Sequence, residues 1–167
     1  MSKKVERNYL EINFLEDLKK TSNFSEKYSV SLVNPVDFQL NKFFYKNIGK
    51  NHHWVDRLVW TEKQWIDYVS DKNVKTYVLK NEKDFAGYFE LISHPDKKEV
   101  EIAYLGLLEE YQNKKLGSCL LSVAIKNSFL FNTKRVCVHT CSLDHKNALN
   151  NYIARGMKIF KTETVFL

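Results

Sequence analysis

The stretch from Gln112 to Ser118 places Lys114, Lys115 and then Gly117 directly ahead of apolar residues that recur at helical spacing: Leu120, Leu121, Ala124 and Ile125. A helix that starts there presents unpaired backbone N–H groups and the positive end of its dipole to whatever lies in front of it. Phosphate or pyrophosphate suits such a start. The two lysines add positive charge at the same spot, and the missing side chain of Gly117 lets the backbone approach a ligand closely. Other chemistry-bearing residues are fewer. Cys119, Cys137 and Cys141 are odd in number and match neither a disulfide framework nor a zinc spacing. His139 lies between Cys137 and Cys141 at even spacing in an apparent strand, so all three can share one face. No fourth ligand is evident, and no metal is expected.

The elements that must position this loop follow from periodicity. Val74 to Lys80, Phe85 to Ser93 and Val100 to Leu108 are strand-like, and the short polar joints between them predict an antiparallel meander. Earlier, Tyr9 to Leu15 and Tyr28 to Val33 also have strand character. A helix is expected after Asn34-Pro35, with Phe38, Phe43 and Phe44 available for a buried face. A second starts at Thr61 to Gln64, a capping-box pattern, and packs Trp65, Tyr68 and Val69. After the phosphate-loop helix, Arg135 to Ser142 predicts another strand. Asp144 then caps a helix through Arg155, Gly156 stops it, and the apolar end Val165-Phe166-Leu167 closes the chain as a further strand. Strands and helices are thus mixed: an antiparallel meander, then a strand–helix–strand–helix–strand tail, which is an α/β fold of mixed type.

The 167 residues suit one domain, 1–167, with 44% hydrophobic and 14% aromatic residues to build its core. The sequence has no apolar run of membrane-spanning length, and Met1 to Arg7 lacks the apolar stretch of a signal peptide, so a cytoplasmic location is expected. Net charge is +6, but Lys and Arg alternate with Asp and Glu through most of the chain, which disfavours nucleic acid as the partner. A homodimer is compatible with the sequence.

Gln112-Asn113-Lys114-Lys115-Leu116-Gly117 resembles the acetyl-CoA loop of the GNAT superfamily of N-acetyltransferases, which reads Gln or Arg, two variable residues, Gly, one variable residue, then Gly or Ala. Lys115 replaces the first glycine. It must therefore adopt a conformation that glycine reaches more cheaply, or present its amide slightly differently. A second signature supports the likeness: Asn147, Ala148, Tyr152, Gly156 and Met157 match the family's spacing, and Val100 to Leu108 looks like its fourth strand. The resemblance covers roughly Val74 to Phe160. It implies a GNAT fold, a central, mostly antiparallel twisted sheet flanked by helices, with acetyl-CoA as cosubstrate and an amine as acceptor.

By that resemblance, backbone groups near Leu105 and Leu107 pair with the pantetheine arm, and Gln112, Asn113, Lys114, Lys115, Leu116, Gly117 and Ser118 bind the pyrophosphate. Asn147 reaches the pantetheine, and Tyr152 sits near the thioester sulfur as general acid. An alkylamine is roughly 0.1% neutral or less at pH 7, so a base must take its proton. The family often uses a carboxylate of the third or fourth strand; Glu101 is the first choice here and Glu90 the second, with His139 as an outsider. No covalent intermediate is needed, so the cysteines need not be nucleophiles. The region Asn51 to Trp60 commonly lines the acceptor side in this family. Trp54 and Trp60 could form a flat wall there, with Arg57 binding an acceptor carboxylate and Asp56 as its partner. Equally, these aromatics could pack the loop onto the sheet, with Arg57 simply pairing Asp56. The readings outside this one are a catalytically silent acyl-CoA-binding module and, less favoured, a basic nucleic-acid-binding protein.

Overall fold

The computed structural model describes residues 2–167. One seven-stranded sheet organises the chain. Its strands are β1 (Lys4–Ile12), β2 (Tyr28–Leu32), β3 (Val74–Asn81), β4 (Asp84–His94), β5 (Glu99–Leu107), β6 (Arg135–Cys141) and β7 (Lys158–Phe166), in the order β2-β3-β4-β5-β6-β1-β7. Every neighbouring pair is antiparallel except β5 with β6. Four α-helices flank the sheet: α1 (Phe38–Gly49), α2 (Glu62–Ser70), α3 (Leu116–Ser128) and α4 (Ala148–Ala154). This is the mixed, mostly antiparallel architecture the sequence led us to expect.

Local chemistry accounts for most boundaries. Asp37 caps α1 by accepting from the Gln39 N–H at 3.0 Å. Thr61 and Gln64 form the anticipated capping box of α2. In α1, Phe44 is fully buried while Phe43 is 40% exposed, so only one of the two adjacent rings joins the core. In α2, Trp65 and Val69 are buried.

Two boundaries differ from expectation. The first strand is Lys4–Ile12 rather than Tyr9 to Leu15, because Val5, Asn8, Leu10 and Ile12 are the positions that bury; Leu15–Asp17 is a short 3₁₀ turn. The last helix begins at Ala148, not beside Asp144. The Asp144 carboxylate instead accepts from the Thr140 hydroxyl and the Cys141 N–H, which closes the turn after β6.

The sheet has a weak seam. β5 and β6 pair only through Glu99, Glu101 and the residue between them, against Arg135 to Cys137. On the other side of β5 the register with β4 slips between Glu90 and Leu91, which face Tyr104 and Ile102, so Ala103 is left as the extra residue of a bulge. A bulge bends its strand and increases its twist. Beyond this point β5 and β6 part. Gly106 on one face looks toward Ile48 of α1, and Leu107 on the other looks toward Gly117 of α3, so the opening runs between the two helical layers.

Candidate active site

The parted strands open into a cleft of about 710 Å³. Its floor is Ile102 to Leu107 of β5 and Val138, His139 and Cys141 of β6. Having lost β6 as a neighbour, β5 presents an edge of backbone N–H and C=O groups inside the molecule, and such an edge can pair with an extended ligand that carries amides. Leu105 and Leu107 lie on this edge. The Leu107 carbonyl accepts from the Gln112 side chain at 3.2 Å, which ties the loop after β5 back to the strand.

At one end of the cleft α3 begins. Lys115 precedes it in the left-handed conformation, at φ 63° and ψ 14°, and offers no side-chain cap. The strained alternative anticipated for the residue that replaces glycine is therefore the one adopted. The first-turn N–H groups of α3 are left without a capping side chain and turned toward the cleft. A side chain at Gly117 would meet Asn151 Nδ2 at 3.7 Å and Leu107 at 3.9 Å, ordinary contacts, so a Cβ fits here without a clash. Asn151 donates to the Gly117 carbonyl at 3.1 Å and fixes α4 against the start of α3. The residues present thus fit an elongated ligand that ends in a pyrophosphate. Gln112, Asn113, Lys115, Leu116, Gly117, Ser118 and Asn147 all line the cleft. Lys114 does not: its Nζ sits over the Tyr111 ring, 5.6 Å from the centroid, facing away. Thr21 and Ser22, which sequence reasoning passed over, also line it; Thr21 donates to the Ser118 hydroxyl at 3.0 Å. No local motif marks them, since they arrive by a contact across 97 residues.

Tyr152 lines the cleft from α4. Burial, and secondarily the charge of Asp144, raises its pKa above the ordinary phenol value, so it keeps its proton at neutral pH.

The glutamates picked out from the sequence lie elsewhere. Glu90 is fully buried. It accepts from Asn41 at 2.8 Å, from Arg57 at 2.9 and 3.1 Å, and from the Tyr68 hydroxyl at 2.9 Å, so it is enclosed by protein donors and does not face the cleft. Arg57 is consequently not available to an acceptor, nor does it pair Asp56. It is 7% exposed, joined to Glu90, and boxed by Tyr45, Trp60, Trp65, Tyr68 and Tyr104, with ring centroids 4.2 to 5.9 Å away. Burial opposes its charge, but Glu90 together with Tyr68 and Tyr104 outweighs this and raises its pKa. Trp60 belongs to that box and does not line the cleft, whereas Trp54 does, with its ring 4.7 Å from that of Tyr104. Glu101 sits where β5 and β6 still pair and meets His94 at 3.4 Å, below the cleft floor.

What the structure brings to the cleft instead is a set of groups from distant segments: His52, Trp54 and Asp56 on the loop after α1, His139 on β6, and Asp144 and His145 on the loop after β6. Trp54 Nε1 donates to Asp144 at 3.4 Å across the cleft, and the His52 and His145 rings approach to 5.8 Å. Burial, then the neighbouring His145, lowers the pKa of His52 against the pull of Asp144. His139 is reached by solvent but set in a concave wall. Desolvation first and Arg7 second lower its pKa, against Glu101, Asp144 and Asp56. Both imidazoles are therefore neutral at pH 7. The Cys137 thiol is pushed up to about 11 by burial, which leaves it un-ionised and a poor nucleophile. Among the described residues no cluster of side chains could hold a metal ion, and no helix is long and apolar enough to cross a membrane.

Residues 38–157 match the family model described as Acetyltransferase (GNAT) family. No curated protein matches the chain. Among solved structures, the fold is similar to that of a GCN5-related N-acetyltransferase from Kribbella flavida, with a TM-score of 0.66 and 13% identity over 96% of this chain and 56% of that one. A GCN5-related N-acetyltransferase from Sphaerobacter thermophilus gives 0.71 and 12% over 97% and 50%. An aminoglycoside acetyltransferase from an uncultured soil metagenomic sample, in complex with trehalose, gives 0.63 and 12% over 77% and 87%. The chain thus spans about half the length of the first two. At these identities the likeness is one of fold.

Proposed function

The chain belongs to the GNAT acetyltransferase family, and from that premise we propose that it transfers the acetyl group of acetyl-CoA to a primary amine of a small molecule or peptide. The observation that carries this reading is the uncapped start of α3, which faces a cleft walled by the freed edge of β5 and by Tyr152. Acetyl-CoA supplies an acyl thioester, which an amine can attack without any covalent enzyme intermediate. The first-turn N–H groups of α3, with Lys115, bind the pyrophosphate, and the edge at Leu105 and Leu107 pairs with the amides of the pantetheine arm. Asn147, at the start of α4, adds a side-chain amide to the same wall.

In direct transfer the C–N bond forms as the C–S bond breaks, one proton leaves the amine, and one arrives at sulfur. His139 accepts the first, directly or through water: it faces the cleft and is neutral at pH 7. Glu101, on the neighbouring strand, is close enough to oppose the lowering of that imidazole's pKa and so supports it rather than replacing it. Tyr152 delivers the second proton from its hydroxyl. Trp54, packed on Tyr104 and tied to Asp144, covers the reacting centre and excludes water from it.

Isothermal titration with acetyl-CoA and with CoA, on wild type and on Gly117→Glu, tests the donor site. The substitution adds a Cβ that makes only ordinary contacts with Asn151 and Leu107, and an acidic residue in the first turn of a helix is tolerated by the fold. It also puts bulk and negative charge where the pyrophosphate binds. Micromolar binding by wild type, weakened more than about tenfold in the variant, is expected. Equal affinity in both, or none in wild type, refutes the proposal.

A further inference from the structure

The charged side chains that line the cleft sort themselves by what they already hold. The cations are Arg7, Lys115 and Arg155, and the carboxylates are Asp56 and Asp144. Lys115 stands at the start of α3, and Arg155, at the C-terminal end of α4, donates through one terminal nitrogen to the Lys20 carbonyl at 3.2 Å, although its Nε, like that of Arg7, is buried without a partner. Asp144 is held by Thr140, Cys141 and Trp54. Arg7 and Asp56 remain. Among the described residues neither is in a salt bridge; Glu163, opposite Arg7 on β7, is held by Tyr9 and Lys161, and the Arg7 Nε is sealed from solvent without a hydrogen-bond partner. A guanidinium nitrogen withdrawn from water and left unpaired is costly unless something else completes it.

Register shows which side of the cleft this cation serves. On β1, Leu10 and Ile12 turn into the core, so Arg7 and Tyr9 point to the opposite face. Arg7 is opposite Cys141 and Tyr9 opposite His139. Arg7 and His139 are therefore diagonal neighbours on one face, roughly 7–8 Å apart at their Cα atoms. Through the pairs of Cys137 with Glu101 and of Glu101 with Ile92, that face is continuous with the one carrying Glu90, Tyr104 and the Trp54 loop. The start of α3 lies toward the other face, beside Leu107. The unpaired cation thus belongs to the side from which an acceptor, not the pyrophosphate, approaches.

We propose that the acceptor is a zwitterion, an amine with a carboxylate close by as in an amino acid or short peptide, whose carboxylate pairs with Arg7 while Asp56 draws its ammonium group toward His139. This inference rests on the transferase reading and names the substrate class of that site. Planar carboxylate and guanidinium match in a bidentate pair. A single cation that already has the Glu163 carboxylate as its cross-strand neighbour on β7 suits a monoanion better than a phosphate dianion. Arg57, the residue that sequence proximity would pick for this role, is bound to Glu90 instead.

The test uses matched acceptors: α-amino acids and dipeptides with a free carboxylate, their carboxamides, a plain alkylamine, and O-phosphoethanolamine. Turnover is read by thiol release, and acceptor binding by ligand-observed NMR, on wild type, Arg7→Gln and Arg7→Lys. Wild type is expected to prefer carboxylates over carboxamides. In Arg7→Gln the KM for carboxylate acceptors rises about tenfold or more, as for loss of one charged hydrogen-bonded pair, while the KM values for acetyl-CoA and for carboxamides change little. Arg7→Lys retains part of the preference. Equal use of carboxamides by wild type, a preference for the phosphate, a matching rise in the acetyl-CoA KM, or no carboxylate-dependent binding overturns the assignment. Carboxylate-dependent binding that persists in a protein unable to bind acetyl-CoA overturns the donor reading alone.

Discussion

Replacing Arg57 by methionine removes what is, among the described residues, the only positive charge within salt-bridge reach of a carboxylate that has no solvent exposure. Glu90 would keep its bonds from Asn41 and Tyr68, both neutral donors, and lose the pair of contacts at 2.9 and 3.1 Å. Breaking a buried pair by deleting one partner costs about 3–5 kcal/mol. For a domain of this size that lowers Tm by about 6–20 °C. Glu90→Gln preserves the shape and most of the hydrogen bonds, and costs less, about 1–3 kcal/mol. Because each single change strands the other partner, the double substitution Arg57→Met with Glu90→Gln is less destabilised than the sum of the two. Urea denaturation followed by tryptophan fluorescence reads this directly, since Trp60 and Trp65 both lie against the guanidinium. Strict additivity, or a loss below about 1 kcal/mol for Arg57→Met, refutes the account of a sealed ion pair. The same variant has a functional side. The Arg57 N–H donates to the Tyr45 hydroxyl at 3.1 Å, and its side chain anchors the loop that carries Trp54 and Asp56. At a temperature where the variant is folded, turnover falls as that loop loosens, but the preference for carboxylate acceptors survives. Its disappearance would return Arg57 to the acceptor site.

Tyr152→Phe should lower kcat by about a hundredfold or more while leaving the acetyl-CoA Kd from isothermal titration unchanged, because the hydroxyl is needed at the departing sulfur and not for binding. An unchanged kcat removes Tyr152 from the chemistry. His139 has to be unprotonated to act, and its pKa is lowered from 6.5, so wild-type kcat/KM should fall only as pH drops below that value. His139→Gln should lose that acid limb together with most of its rate near neutral pH; a variant that keeps the limb shows that another group titrates.

The proposed donor side of the cleft was legible in the sequence because it is local. β5, the loop and α3 are one contiguous segment, and the physics of a glycine-bearing helix start is written in adjacent residues. The backbone strain at Lys115 followed from the same local reasoning and is present as φ 63°. The proposed acceptor side is assembled across the chain. Arg7 reaches the cleft because β1 inserts between β6 and β7, through pairings such as Arg7 with Cys141 and Arg7 with Glu163, and no periodicity reports a partner at that separation. Proximity in sequence misled at two points. Asp56 and Arg57 are neighbours in a loop yet point apart, one to the cleft and one to Glu90. Asp144 has the chemistry of a helix cap but is used by Thr140 and Cys141 just before it, so the helix starts later.

The cleft itself follows from how the sheet is joined. β6 is paired with β1 from Val136 to Cys141, and β5 with β4 along nearly its whole length, whereas β5 and β6 share only the stretch from Glu99 to Glu101. Two half-sheets, each twisting with its own antiparallel partner, meet at a parallel pair too short to hold them together past the bulge at Ala103. The split frees backbone groups that must find hydrogen bonds, which the amide-bearing cosubstrate proposed above would supply. It also opens the sheet from one face to the other. In the proposed ternary complex a donor at the start of α3 and an acceptor at Arg7 and Asp56 would enter from opposite faces and meet between His139 and Tyr152, so no residue would have to carry the acetyl group between them.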